Sequence, residues 1–223
     1  MKIRTDTQAH DFLAEDLIWR KKELTALRFL LEGATIRNEK FDALLRGCVT
    51  MLYAHWEGYI KSASITYLSF VSNQRVTYEQ LSPNFIAIAA RGILRKASAA
   101  RTIRTHIELT QFFLTGLAGH HRGLPESAIS TRANLSSTVL TEIMDTLGLD
   151  PRPFESKAHL LDEGLLEARN TIAHGEYLQV TPDRYQEFYA EILAMMDQFR
   201  TQIQNSIALR AYLAKGTTAA AAH

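Results

Sequence analysis

In the C-terminal third of this 223-residue chain, an arginine, an asparagine and a histidine fall close together. The run is Glu167-Ala168-Arg169-Asn170-Thr171-Ile172-Ala173-His174-Gly175-Glu176. These side chains are equipped to cleave a phosphodiester without a metal ion. A neutral imidazole accepts the proton of a ribose 2′-hydroxyl and, once protonated, donates one to the leaving oxygen. A guanidinium grips a phosphate through two N–H groups and stabilises charge that builds in the transition state. Asn170 can orient a phosphate oxygen or the imidazole. On an ideal helix Leu161, Leu165, Ala168 and Ile172 form a core stripe, with Asn170 and His174 on the opposite face and Arg169 near the stripe's edge. The trio is therefore expected to face water, a ligand or a second subunit. Gly175 can take a left-handed conformation and let the chain turn away directly after the histidine. Spacing alone favours an ordinary salt bridge for Arg169 and a helix-end cap for His174 over the chemical reading.

Helical periodicity supplies the frame for this run. Residues 6–33 carry Phe12, Leu13, Leu17, Ile18, Leu24, Leu27, Leu30 and Leu31 at spacings that predict an N-terminal amphipathic helix ended by Gly33. From Phe41 through Leu45, Cys48, Leu52, Trp56, Tyr59 and Ala63 to Val71, one broad apolar face predicts a helix of roughly 30 residues, the spine of a bundle. Shorter helices are expected from Ser82 to about Lys96, from Thr102 to Leu117, from Ser136 to Leu147 and from Ser156 to about His174. The glycine-punctuated connection from Gly116 to about Asn134 is expected to be the least ordered internal region. Thr181-Pro182-Asp183 opens a last long helix with Tyr185, Phe188, Tyr189, Ile192, Met195, Met196, Phe199 and Ile203 inside. Hairpin signals are missing. The reading is an all-α helical bundle with two long helices: one domain over residues 1–214, a helical insert over 73–153, and a flexible tail over 215–223.

Composition narrows the function. Twenty-five Lys and Arg oppose 24 Asp and Glu, for a net charge of +1, which excludes a polybasic nucleic-acid binder of the histone kind. The single cysteine, Cys48, excludes an internal disulfide and a multi-cysteine zinc site, and its place in an apolar face predicts a small core residue. No signal peptide or membrane-length apolar run is visible, so a cytoplasmic protein without membrane contact is expected. The neutral total conceals a division. Arg91, Arg95, Lys96, Arg101, Arg104 and Arg122 face one acid between residues 91 and 122, whereas nine acids oppose three bases between 155 and 197. The basic stretch suits the backbone of RNA, and suits equally an internal pairing with the acidic helices.

Arg169-Asn170-Thr171-Ile172-Ala173-His174 resembles the Arg-x4-His signature of the HEPN superfamily, typically Arg-Asn-x-x-Ala-His followed by Gly. Leu52-Tyr53-Ala54-His55-Trp56-Glu57-Gly58-Tyr59-Ile60-Lys61 is similar to the long-helix motif of a bacterial HEPN branch found beside restriction-modification and toxin–antitoxin genes. A third block, Asn134-Leu135 followed by Ile143 through Leu147-Gly148-Leu149-Asp150, agrees in order, so the resemblance spans about residues 40–212. It implies a helical bundle that dimerises and brings two signatures into one cleft. It also implies a metal-independent endoribonuclease that needs no cofactor, used as a toxin or defence effector, with RNA as substrate and an antitoxin or restriction-system protein as partner. By position Arg169 would contact phosphate, His174 would serve as acid and base, and Asn170 is their polar companion. Many relatives carry a second arginine where Ala168 stands here, which puts the strength of phosphate binding in question. The alternative within the family is a non-catalytic module that binds nucleotide, RNA or a partner protein.

Four further residues are candidates for the cleft lining. Glu57 and Lys61, four apart on the spine helix, fit either a surface ion pair or the cleft. Glu176 and Tyr177 follow the signature closely enough to reach it. His55, on the apolar face, is expected to be a buried structural histidine, and Trp56 and Tyr59 are expected in the core. The adjacent His120 and His121 make no convincing metal site.

Overall fold

A computed structural model describes residues 2–34, 38–121 and 123–216. Arg122 of the basic stretch and residues 217–223 of the expected tail lie outside the described residues. The described residues form eight α-helices, several short 3-10 turns and no strand, so the fold is all-α as the periodicity predicts. In chain order they are α1 (Asp6–Glu32), α2 (Glu39–Ser72), α3 (Pro83–Ala99), α4 (Ile103–Leu114), α5 (Ser137–Leu147), α6 (Arg152–Glu155), α7 (Glu167–Ala173) and α8 (Pro182–Ala208). None of them is long and apolar enough to cross a membrane.

Side-chain caps set the helix starts. Thr5 and Gln8 form a reciprocal capping box on α1, Asn38 accepts from the backbone of Lys40 and Phe41 on α2, and Thr181 accepts from Arg184 on α8 with Pro182 behind it. Helix α1 runs antiparallel to α2: Arg20 reaches the carbonyl of His55, while Ile3 and Arg4 lie beside Ser69 and Gln74. Helix α8 runs antiparallel to α1, with Thr25 hydrogen-bonded to Tyr189 and Lys21 paired with Asp197. The inner face expected for α8 is buried throughout, and Cys48, Trp56 and Tyr59 of α2 are enclosed. His55 is buried too, with Nε2 2.9 Å from a carboxylate oxygen of Glu23.

Three expectations need correction. Phe12, Ile18 and Leu30 are exposed rather than buried, because α1 meets its neighbours along a narrow stripe of Ala9, Leu13, Leu17, Leu24 and Leu31. The other three lie roughly 100° or more round the helix from that stripe. The connection after α4 is not a loose link. Leu124, Ile129, Thr131 and Leu135 are buried, and Leu124 and Ser72 exchange hydrogen bonds across it. Finally, the helix expected from Ser156 to His174 is interrupted. Residues Leu160–Leu166 form a π-helical segment that leads directly into α7.

Gly164 explains why that segment packs as it does. It is buried, and a Cβ there would stand 2.9 Å from the Phe188 ring and 2.9 Å from an Arg184 nitrogen. Its lack of a side chain is what lets the widened turn lie against α8. The basic residues Arg91, Arg95, Lys96, Arg101 and Arg104 sit exposed on α3, α4 and the link between them. Among the described residues their one ion pair is local, Arg104 with Glu108, so they do not pair with the acidic helices. Helix α4 buries none of its residues, and Ile103 and Leu114 are 73% and 76% exposed.

Two stability measurements follow. Gly164→Ala should destabilise the protein by about 1–3 kcal/mol in urea unfolding, because an aromatic ring must move to admit the methyl group. Burial pushes the His55 imidazole below its ordinary value of 6.5, against the opposing pull of Glu23, so the fold favours the neutral ring. Stability should therefore rise as pH climbs toward 6.5, where the unfolded chain holds more protons, and gain nothing from this group above it. His55→Gln should flatten that part of the stability profile.

Candidate active site

Helix α2 is packed on two sides, and on the side facing α7 it presents Tyr53 and Glu57 four residues apart. Arg169 leaves the edge of α7 and lays its guanidinium over the Tyr53 ring, 4.5 Å from the ring centre, within cation–π range. Its Nη1 donates to Asn134 Oδ1 at 2.9 Å and to Asn170 Oδ1 at 2.6 Å. Its Nη2 donates to the Ala133 carbonyl at 3.3 Å and lies 3.8 Å from Glu57 Oε2. Arg169 is 25% exposed. It is turned toward the protein and does not stand in water beside His174, as the helical projection suggested.

The loop opposite is tied to the same groups. Thr131 donates its hydroxyl to Glu57 Oε1 at 2.6 Å, and the Leu135 amide donates to Tyr53 Oη at 2.6 Å. Burial lifts the Tyr53 phenol to about 12, so it stays neutral and free to accept that bond near pH 7. Between these anchors Arg132 and Ala133 have φ of 52° and 63°. Two successive non-glycine residues in the left-handed region cost about 1–2 kcal/mol each, which the surrounding bonds must offset.

Asn170 links this interior network to the surface. Beyond it lies a shallow groove lined by Asp162, Glu163, Glu167, Asn170, His174 and Glu176. His174 is exposed at the end of α7, and its ring makes no hydrogen bond or ion pair among the described residues. The helix stops there through paired backbone bonds, Gly175 to Ile172 and Glu176 to Thr171, with Gly175 at φ +78°. Asp162 is already engaged by the backbone and hydroxyl of Ser137. The groove is acidic, which weakens its pull on a polyanion.

The structure thus joins Arg169 to Asn170 by a hydrogen bond, and Asn170 to His174 and Glu176 by a shared groove. Glu57 lies behind Arg169 and turns to Thr131 and Arg169, so the suggested ion pair with Lys61 is not formed. Lys61 is exposed one turn further along α2. Tyr177 is 77% exposed, its ring centre 5.9 Å from the Arg46 guanidinium. Arg91, Arg95, Lys96, Arg101 and Arg104 do not line the groove. Sequence reasoning missed Tyr53, Thr131 and Ala133 as partners of the site. The one available signal was the i,i+4 spacing of Tyr53 and Glu57. Among the described residues no group of three or more His, Cys, Asp or Glu is placed to hold a metal ion.

An all-α bundle whose Arg-Asn-x-x-Ala-His run ends a helix against a long central helix defines a HEPN-like protein. A family model described as MAE_28990-like HEPN matches residues 9–212, and the chain belongs to this HEPN family. Membership is consistent with a ribonuclease or a nucleotide-binding module. No curated protein and no solved structure matches the chain.

The two charged residues of the spine helix should differ in weight. Glu57→Ala leaves Thr131 without its acceptor and Arg169 without the carboxylate 3.8 Å away, and should cost about 1–3 kcal/mol in urea unfolding. Lys61→Ala should change stability by no more than about 0.5 kcal/mol. Equal effects would mean that Glu57 is a surface residue after all.

Proposed function

We propose that this protein is a metal-independent endoribonuclease acting in the cytoplasm as a toxin or defence effector. The observation that carries the reading is the position of Asn170, whose Oδ1 accepts from Arg169 while its side chain lines the groove of the exposed His174. A phosphate held by Arg169 and a 2′-hydroxyl reached by His174 are then served by neighbouring groups. His174 takes the 2′-hydroxyl proton, the 2′-oxygen attacks phosphorus, and a protonated imidazole returns a proton to the departing 5′-oxygen. Arg169 stabilises the charge that gathers on the phosphoryl oxygens.

The catalytic form is a homodimer with two signatures in one cleft. A groove carrying Asp162, Glu163, Glu167 and Glu176 is a poor RNA site by itself. A second protomer would bring another Arg169 and His174 to the cleft, together with its own copies of those acids, so the attraction for RNA must come from elsewhere on the surface. The exposed Arg91, Arg95, Lys96, Arg101 and Arg104 supply the sequence-independent backbone contacts, and the substrate is single-stranded or looped RNA with accessible 2′-hydroxyls. An antitoxin or restriction-system protein would restrain the enzyme.

A second reading has its own observation. The engagement of Arg169 by Glu57, Ala133 and Asn134 suits a non-catalytic HEPN module that binds RNA, nucleotide or a partner protein, and the acidic groove favours the partner protein among these.

Incubation of purified protein with structured RNA in EDTA separates the two. The endoribonuclease reading expects cleavage that falls by about 10²–10⁴-fold in His174→Ala, with the melting temperature unchanged because the ring is exposed. Cleavage that survives both His174→Ala and Arg169→Ala contradicts it. Binding without any cleavage selects the module.

A further inference from the structure

We infer that residues 131–135 form a latch over Arg169, which a nucleic-acid phosphate must displace before the guanidinium can hold it. This rests on Arg169 being the phosphate ligand. Of its five N–H groups, both on Nη1 are spent on Asn134 and Asn170. Nη2 donates one to the Ala133 carbonyl and lies 3.8 Å from Glu57 Oε2, and the Nε–H makes no hydrogen bond among the described residues. Both two-pronged edges of a guanidinium include Nη2, which donates to the Ala133 carbonyl of the loop, and the end-on edge also includes Nη1, which donates to Asn134 Oδ1 of the loop.

The loop is built to hold and to let go. Its ends are fixed by buried residues, Thr131 bonded to Glu57 and Leu135 bonded to Tyr53. Its middle residues, Arg132, Ala133 and Asn134, are exposed, and the first two are in the left-handed region. On the outer side Arg132 is paired with Glu142 at 2.6 Å. The strained centre therefore carries the acceptors that occupy Arg169, and it can relax once a phosphate takes over those N–H groups. Apparent affinity for RNA is reduced by the fraction of molecules in which the latch is closed.

The test uses a 2′-O-methyl RNA, which cannot be cleaved through its 2′-oxygen, with hydrogen exchange at the Asn134 and Leu135 amides read alongside. Asn134→Ala, at an exposed position, removes one acceptor and should tighten binding about ten-fold, an effect that disappears when Arg169→Ala is added. Asn134→Asp should strengthen the latch and weaken binding. The Asn134 amide, which donates to the Thr131 carbonyl at 3.0 Å, should exchange faster in the complex than in the free protein, while the anchored Leu135 amide stays protected. Weaker binding by Asn134→Ala that Asn134→Gln restores overturns the latch and makes Asn134 a positioning residue. An Asn134 amide whose exchange does not quicken in the complex overturns it as well. If no variant binds RNA in an Arg169-dependent way, the phosphate-binding role of Arg169 fails and the latch falls with it.

Discussion

Everything else in the molecule is arranged around the burial of α2. Seventeen of its 34 residues are enclosed, from Phe41 to Val71, including Tyr53, Trp56, Tyr59, Tyr67 and Phe70. Helices α1 and α8 cover part of its surface, while α5, α7 and the π-helical segment cover another part. A helix held from several sides in a close-packed interior has little freedom to rotate or slide. Tyr53 and Glu57 are consequently a fixed floor, and Arg169 is positioned by being laid upon it.

The same arrangement sets a conflict between structure and chemistry. A guanidinium that is three-quarters covered needs partners for its N–H groups, and Ala133, Asn134 and Asn170 accept from three of them while the Glu57 carboxylate stands 3.8 Å away. Those bonds orient Arg169 and also occupy it. His174 is the reverse case: exposed, without a side-chain partner among the described residues, and held only by the backbone bonds that end α7. Asn170 joins the two regimes. The signature here is thus one largely covered member, one surface member and a connector, and the helical projection separates only Arg169, at the stripe's edge, from the other two.

What the sequence made legible follows from what is local. The apolar periods of α2 and α8 and the Thr181-Pro182 start are written in neighbouring residues, and the structure has them where the pattern places them. The π-helical segment is not legible, since it depends on Gly164 meeting Phe188 and Arg184 on another helix. Nor are the exposed Phe12, Ile18 and Leu30, because the width of the buried stripe on α1 is decided by its neighbours. The partners of Arg169 lie 35 and 36 residues before it in the loop, and further still on α2, so no spacing rule reaches them. The basic stretch behind the even balance of charge was legible as well, but not its partners: on α3 and α4 it is exposed and, among the described residues, forms an ion pair only with Glu108.

The chemistry assigned to Arg169, Asn170 and His174 requires a 2′-hydroxyl nucleophile, and the ends of the products record it. The most direct measurement is mass spectrometry of an RNA oligonucleotide cleaved in EDTA, alongside the same oligonucleotide carrying a single 2′-deoxy at the scissile position. The account predicts a 2′,3′-cyclic phosphate on one fragment, a 5′-hydroxyl on the other, and no cut at the deoxy position. A 5′-phosphate, or cleavage that ignores the missing hydroxyl, would contradict it.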